Sequence, residues 1–303
     1  MEKINFFNQP NCYKMSNGDA EVIVTTDIGP RIIRYAFPGG ENILAELHEG
    51  GDTTEFGIWR PYGGHRLWHA PEVKPRTYVP DNTPIPFEIL NDNSIRLSPE
   101  TEAQTGIKKE MTVTLDSTGT GVTVHMKLTN KGQWGVKLAA WGLTIMNGGG
   151  TAIFPQEPFK AHSDYLLPAR SFVLWHYTDL SDSRWRLGKK YICLSTDDNK
   201  QNPQKAGIMN KQGWAGYARK GDLFIKQFAC VDGAEYADYG CNNETFTMRS
   251  FMEVETLAPM VILESGESTE HVEKWHLFSN FNLGNSDEEL DKAIAPLIAK
   301  IKG

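Results

Sequence analysis

With 303 residues, of which 40% are hydrophobic and 23% charged, the chain can bury a large core, and it carries no repeat or low-complexity tract. The formal net charge is −7 and the lysines and arginines are scattered, so the basic footprint that phosphate backbones require is missing and no nucleic-acid partner is expected. No stretch approaches eighteen consecutive apolar residues, and Met1 to Pro10 has neither the basic nor the apolar region of an export signal, so no membrane partner is expected and a cytoplasmic location is the default. Cys12, Cys193, Cys230 and Cys241 lie far apart with no C-x-x-C pair, which predicts buried thiols.

Taken in chain order, short β-patterned runs recur between turn signals. Strands are predicted over 20–26, 31–37, 94–97, 109–115, 121–129, 137–144, 223–228, 245–255 and 271–278. The runs at 109–115 and 121–129 predict a hairpin, because Asp116-Ser117-Thr118-Gly119-Thr120-Gly121 supplies the glycines and short polar side chains of a turn. Almost everything before residue 280 reads as strand or loop. The tail differs: Ser286 can cap, acids follow it, and Leu290, Ile294 and Leu297 recur at helical spacing, which predicts a helix over about 286–301, bent at Pro296. No linker or composition shift divides the chain, so one domain over 1–303 is predicted, with its core over about 15–280.

Two segments carry candidate chemistry. Arg60-Pro61-Tyr62-Gly63-Gly64-His65-Arg66-Leu67-Trp68-His69-Ala70-Pro71-Glu72 gathers two histidines, two arginines, two aromatic residues and an acid. Such a density suits a sugar: an arginine donates several hydrogen bonds to vicinal hydroxyls and a tryptophan lies against the apolar face of a pyranose. In an extended segment His65 and His69 share one face and Arg66 and Trp68 the other, so one pair or the other can line a cleft. The bland alternative is a surface turn anchored by Trp68. Zinc held by His65 and His69 would need a helix, which Gly63-Gly64 and Pro71 disfavour, so no metal site is expected.

The second segment, Phe251-Met252-Glu253-Val254-Glu255-Thr256-Leu257, puts Glu253 and Glu255 on one face of a strand. Either the pair lines a cleft, or one glutamate faces solvent while the other partners an arginine such as Arg249.

The order of several of these segments resembles the galactose mutarotase-like superfamily of aldose 1-epimerases and related sugar-binding proteins. Val24-Thr25-Thr26-Asp27-Ile28-Gly29-Pro30-Arg31-Ile32 resembles its early hairpin, Gly63 to Glu72 its glycine-rich, arginine-bearing loop over the sugar, Val254-Glu255-Thr256 the segment of its catalytic glutamate, and Leu263 to Trp275 its final strands. The resemblance implies an all-β fold, a β-supersandwich of two large mainly antiparallel sheets with the helix C-terminal to them. It also implies a small-molecule sugar or sugar derivative as partner, no cofactor, and interconversion of sugar anomers with Glu255 as base. Substrate-binding roles then fall to Arg60, Tyr62, Arg66, Trp68 and Glu253.

One departure stands out. Where the family's histidine acid would lie, Asn130 to Gly142 holds Trp141, which can stack on a sugar but cannot protonate a ring oxygen. His65, His69 and His162 are the substitutes for that acid. Two alternatives follow: a sugar-binding protein without catalysis, and a lyase-like enzyme in which a histidine or Tyr62 acts on a uronic acid held by arginine. The acidic net charge disfavours polyanionic substrates.

Overall fold

A computed structural model describes residues 1–302, and it is almost entirely β. Two large sheets stack face to face, and their strands pair antiparallel throughout. In the longer sheet the order across is Glu2–Phe6, Gln9–Ser16, Glu21–Thr25, Arg31–Ala36, Gly64–Ala70, Val136–Asn147, Phe251–Leu257, Asn243–Met248, Gln204–Ile208 and Phe172–Leu174, with Val261–Leu263 also pairing Val136–Asn147. The other sheet runs Trp185–Leu187, Tyr191–Ser195, Gly150–Pro155, Trp214–Arg219, Asp222–Phe228, Ser268–Phe278, Val122–Asn130, Ile107–Leu115, Ser94–Leu97 and Phe87–Asn91.

The predicted hairpin forms in unbroken register from Ile107 opposite Asn130 to Leu115 opposite Val122. Its alternation is a packing pattern: Met111, Val113, Val124 and Met126 point into the inter-sheet core while the residues between them are half-buried. The run predicted as one strand over 245–255 is two, Asn243–Met248 and Phe251–Leu257, because Arg249 takes a positive φ of 55° and turns the chain. The segment Gly63 to Glu72, expected as a loop, instead contributes the central strand Gly64–Ala70, flanked on both sides by partners. Gly64 is needed there, since a Cβ on it would sit 2.1 Å from the carbonyl oxygen of Ile32.

The helix Asp287–Lys302 runs through Pro296 as one element, and Ser286 Oγ accepts the amide of Glu289 at its start. Leu290, Ile294 and Ile298 pack on Ile153, Cys193, Leu223 and Ile225, so the helix covers the outer face of the second sheet. Among the described residues no cysteine is bridged; Cys12, Cys193 and Cys241 are buried as expected, whereas Cys230 is half-buried. No helix among the described residues is long and apolar enough to cross a membrane.

Candidate functional site

Directly opposed residues of an antiparallel pair share a face, so the register assembles the site. Leu143 opposes both Arg66 and Glu255, and Glu255 opposes Glu244. The next row runs Gly64, Ile145, Glu253, Phe246 and Lys205, and the row on the other side runs Trp68, Trp141 and Leu257. These rows lie on the face of the longer sheet turned away from the second sheet, where Trp68, Trp141, Leu143, Ile145 and Leu257 form their own apolar cluster with Trp59 and Tyr78 against it. Trp59 comes from a two-stranded hairpin, Asp52–Thr54 with Gly57–Trp59, and Tyr78 from the 3-10 turn Arg76–Tyr78.

Glu255 is completely buried. The indole N–H of Trp141 donates to its Oε2 at 2.8 Å, and Lys205 Nζ stands 3.8 Å from Oε1, an oxygen with no hydrogen-bond partner among the described residues. Lys205 is itself buried, ion-paired to Glu244 at 2.9 Å and placed 4.6 Å from the ring centroid of Trp175 and 5.3 Å from that of Trp141. Arg66, 2% exposed, lies with its guanidinium 4.9 Å from the ring centroids of both Trp59 and Trp68. Its Nη2 donates to the Pro61 carbonyl at 3.0 Å, while Nε and Nη1 have no partner among the described residues. Donors and an acceptor left open in one buried, tryptophan-lined face are what a polyhydroxylated ligand would satisfy.

The electrostatics follow from burial and crowding. Burial raises the pKa of Glu255, and Lys205, though it pulls the other way, does not restore it. Glu253, half-buried, is raised for the same first reason, against Lys205 and Arg66. Glu253 also discourages ionisation of Glu255, which raises it further. Burial opposes charge on Lys205, but Glu244, Glu255 and Glu72 outweigh it and hold the amine protonated. Asp238 is pushed up to about 7 by burial and by Glu244.

The candidate histidines fall elsewhere. His65 and His69 lie one residue out of phase with Arg66 and Trp68, and both point between the sheets. The Nδ1 of His65 is 2.8 Å from Thr144 Oγ1, its Nε2 is 3.4 Å from Met126 Sδ, and its ring packs edge-on to Trp275. The Met126 thioether can only accept, so Nε2 carries the proton and Nδ1 accepts from the Thr144 hydroxyl, which itself accepts from Lys226 Nζ at 2.6 Å. Burial pulls the His65 pKa down to about 3. Around it lie the fully buried Lys226–Glu273 pair at 3.0 Å, Thr256 and His271, with Trp275 donating to Glu273 at 2.7 Å. Glu273 has room because residue 142 is glycine: a Cβ there would sit 2.3 Å from its Oε1. His69 is buried near Glu102, 3.8 Å away, on that same inner side. His162 lies exposed on a turn.

The structure therefore brings together Glu253, Glu255, Arg66, Trp68 and Trp141 of the sequence candidates, and sets His65, His69 and His162 apart from them. Arg60 is exposed, and Tyr62 sits in a turn at φ 54°, its ring 5.3 Å from the Arg31 guanidinium. Sequence reasoning missed Lys205, Glu244, Trp59, Trp175 and Asp238. The alternation in Asn243-Glu244-Thr245-Phe246 repeats that of Glu253 and Glu255 and could have signalled Glu244, but Lys205 joins the site only through tertiary pairing.

Among the described residues, no group of three or more His, Cys, Asp or Glu side chains is placed to hold a metal ion. No protein-family model matches the chain, and no curated protein matches it in sequence. Solved structures do match in fold. A galactose mutarotase-like protein from Lactobacillus casei superposes with a TM-score of 0.55 at 11% identity, covering 88% of this chain and 100% of that one. A galactose mutarotase related enzyme from Lactobacillus acidophilus gives 0.52 at 9% identity, covering 91% and 98%. A TPR-domain containing protein from Parabacteroides distasonis gives 0.58 at 14% identity, covering 89% of this chain, which spans only 47% of that protein. With two stacked antiparallel sheets, matched over nearly their whole length, the chain has the galactose mutarotase-like fold.

Proposed function

We propose that the outer face of the longer sheet binds a small sugar or sugar derivative and interconverts its anomers, with Glu255 as the base. The observation that carries this reading is the state of Glu255: completely buried, one oxygen fixed by the Trp141 N–H at 2.8 Å, the other open. Desolvation makes such a carboxylate a stronger base than one in water, as removal of a proton from the anomeric hydroxyl requires. The half-buried Trp59, packed on the buried Trp68 and Trp141, supplies apolar surface for a pyranose, and Arg66 supplies free donors for its hydroxyls. The fold's named neighbours, one a galactose mutarotase-like protein and one a galactose mutarotase related enzyme, fit this substrate class. Because His65 and His69 face the other side of the sheet, neither serves as the acid in this reading.

A second reading, sugar binding without catalysis, draws on the same placement of His65 and His69 on the inner side of the sheet. The lyase-like alternative is weaker, since Tyr62 lies off the rows and the face carries more carboxylates than cations, which disfavours a uronic acid. The deciding experiment follows anomer exchange by NMR for a panel of aldoses, with wild type and Glu255→Gln side by side. Catalysis by wild type that is lost in Glu255→Gln is the expected result. Ligand saturation without any acceleration would leave the binding reading standing instead.

A further inference from the structure

We propose that Glu253 is the general acid of this site, so that a pair of carboxyl groups on one strand does the work of a carboxylate and an imidazole. The inference rests on the epimerase reading above and adds to it the group that reading leaves unnamed.

Four observations carry it. Glu253 and Glu255 are two residues apart on the strand Phe251–Leu257 and project from the same face, so their backbone origins are about 7 Å apart. That spacing suits two groups that bridge the hydroxyl and ring oxygens on one anomeric carbon. The surroundings also divide the roles. Trp141 donates to Glu255, which favours its charged form, whereas the side-chain carboxyl of Glu253 has neither a hydrogen-bond partner nor a cation within 4.0 Å among the described residues. Glu253 is the more accessible of the two, half-buried against a fully buried Glu255. Finally, the open Oε1 of Glu255 and the open Nε and Nη1 of Arg66, all on buried side chains of this face, mark a ligand position beside the pair.

The proton count closes. Glu255 takes the proton of the anomeric hydroxyl, the C1–O1 bond becomes a carbonyl, the C1–ring oxygen bond breaks, and Glu253 gives its proton to the ring oxygen. After rotation about the C1–C2 bond, the new hydroxyl returns that proton to Glu253 as its oxygen attacks the other face of C1, and Glu255 returns its own to O1. Both groups end as they began. The charged groups that act on Glu253 are Lys205, Arg66, Glu72, Glu244 and Glu255. Tyr78 and Tyr177 also feel its charge. Asp238 is the rival acid, held beside Glu244 by a turn in which Asp238 and Tyr239 both have positive φ.

The test measures anomer exchange across pH for wild type, Glu253→Gln, Glu253→Asp and Asp238→Asn, with thermal melts of each. The expected result is a kcat for Glu253→Gln lower by about 10²–10³, KM within about threefold, loss of the alkaline limb of the pH profile, and partial recovery in Glu253→Asp. Wild-type rates in a folded Glu253→Gln, or the same loss in Asp238→Asn alone, would overturn the assignment and leave the epimerase reading intact. A wild type that accelerates no anomer exchange would overturn both.

Discussion

The indole nitrogen of Trp141 and Oε2 of Glu255 are 2.8 Å apart across two neighbouring strands, so the residue standing where a histidine acid was expected is tied to the proposed base. A hydrogen bond to a buried carboxylate favours its charged form. Trp141→Phe keeps most of the ring and removes the donor. The acid limb of the anomer-exchange profile should then move up by about one pH unit, with little change at higher pH, as read from kcat/KM against pH. An unmoved limb would show that Glu255 is not the group titrating there.

Lys205 compensates Glu244 at 2.9 Å where both side chains are buried. Replacing it by methionine strands a carboxylate, at a cost of about 3–5 kcal/mol in urea unfolding. The double variant Lys205→Met with Glu244→Gln should recover much of that loss, because the uncompensated charge has gone. Equal destabilisation in the single and double variants would argue that Lys205 acts through packing on Trp175 and Trp141.

With the proposed acid role, Glu253 sets stability against chemistry. A group whose pKa is raised by folding binds more protons in the native state than in the unfolded one, so its contribution falls as pH rises from the unfolded carboxylate value through the folded one. Glu253→Gln removes that cost. Its melting temperature should exceed that of wild type by about 2–4 °C at pH 8, and the difference should vanish near pH 5. A constant difference at all pH values would show that the gain comes from something other than charge.

The inter-sheet cluster predicts acid lability of the opposite sign. His65 and His271 are held near 3 and 4 by burial, so they stay neutral in the folded chain while the unfolded chain protonates below its ordinary histidine value. Stability should therefore be lost as pH falls below about 6.5. Lys226 and the two histidines hold Glu273 down to about 2 against its burial, which continues the same slope below the ordinary carboxylate range. His65→Gln should flatten the upper part of that slope in urea titrations, while anomer exchange per folded molecule stays within about threefold of wild type.

How much of this was legible in the sequence depended on the range of the signal. Period-two alternation located Val122–Asn130 and Ile107–Leu115 to within two residues and placed Glu253 and Glu255 on one face, because a strand side has a fixed parity. The same parity left Arg66 with Trp68, or His65 with His69, as equal choices. Only the neighbours decide between them, since Leu143, which also faces Glu255 on its other side, stands opposite Arg66, whereas Thr144 stands opposite His65. Glycine in Gly63-Gly64 suggested a loop, but close approach to the Ile32 carbonyl in a central strand asks for the same residue. Lys205 carries no local mark at all, and its role arises from a strand pairing that brings it beside Glu244 and Glu255.

The C-terminal helix gives the two sheets unequal fates. Each has an apolar outer surface, but Leu290, Ile294 and Ile298 permanently shield one of them, and the other is left to short loops that bring Trp59, Tyr78 and Trp175. In the proposed reading, structural cover and sugar recognition thus fall on opposite sides of the sandwich. Substitutions along the helix should be felt as solubility and folding yield, those beneath the loops as selectivity, and the inter-sheet core lets the two drift separately in evolution.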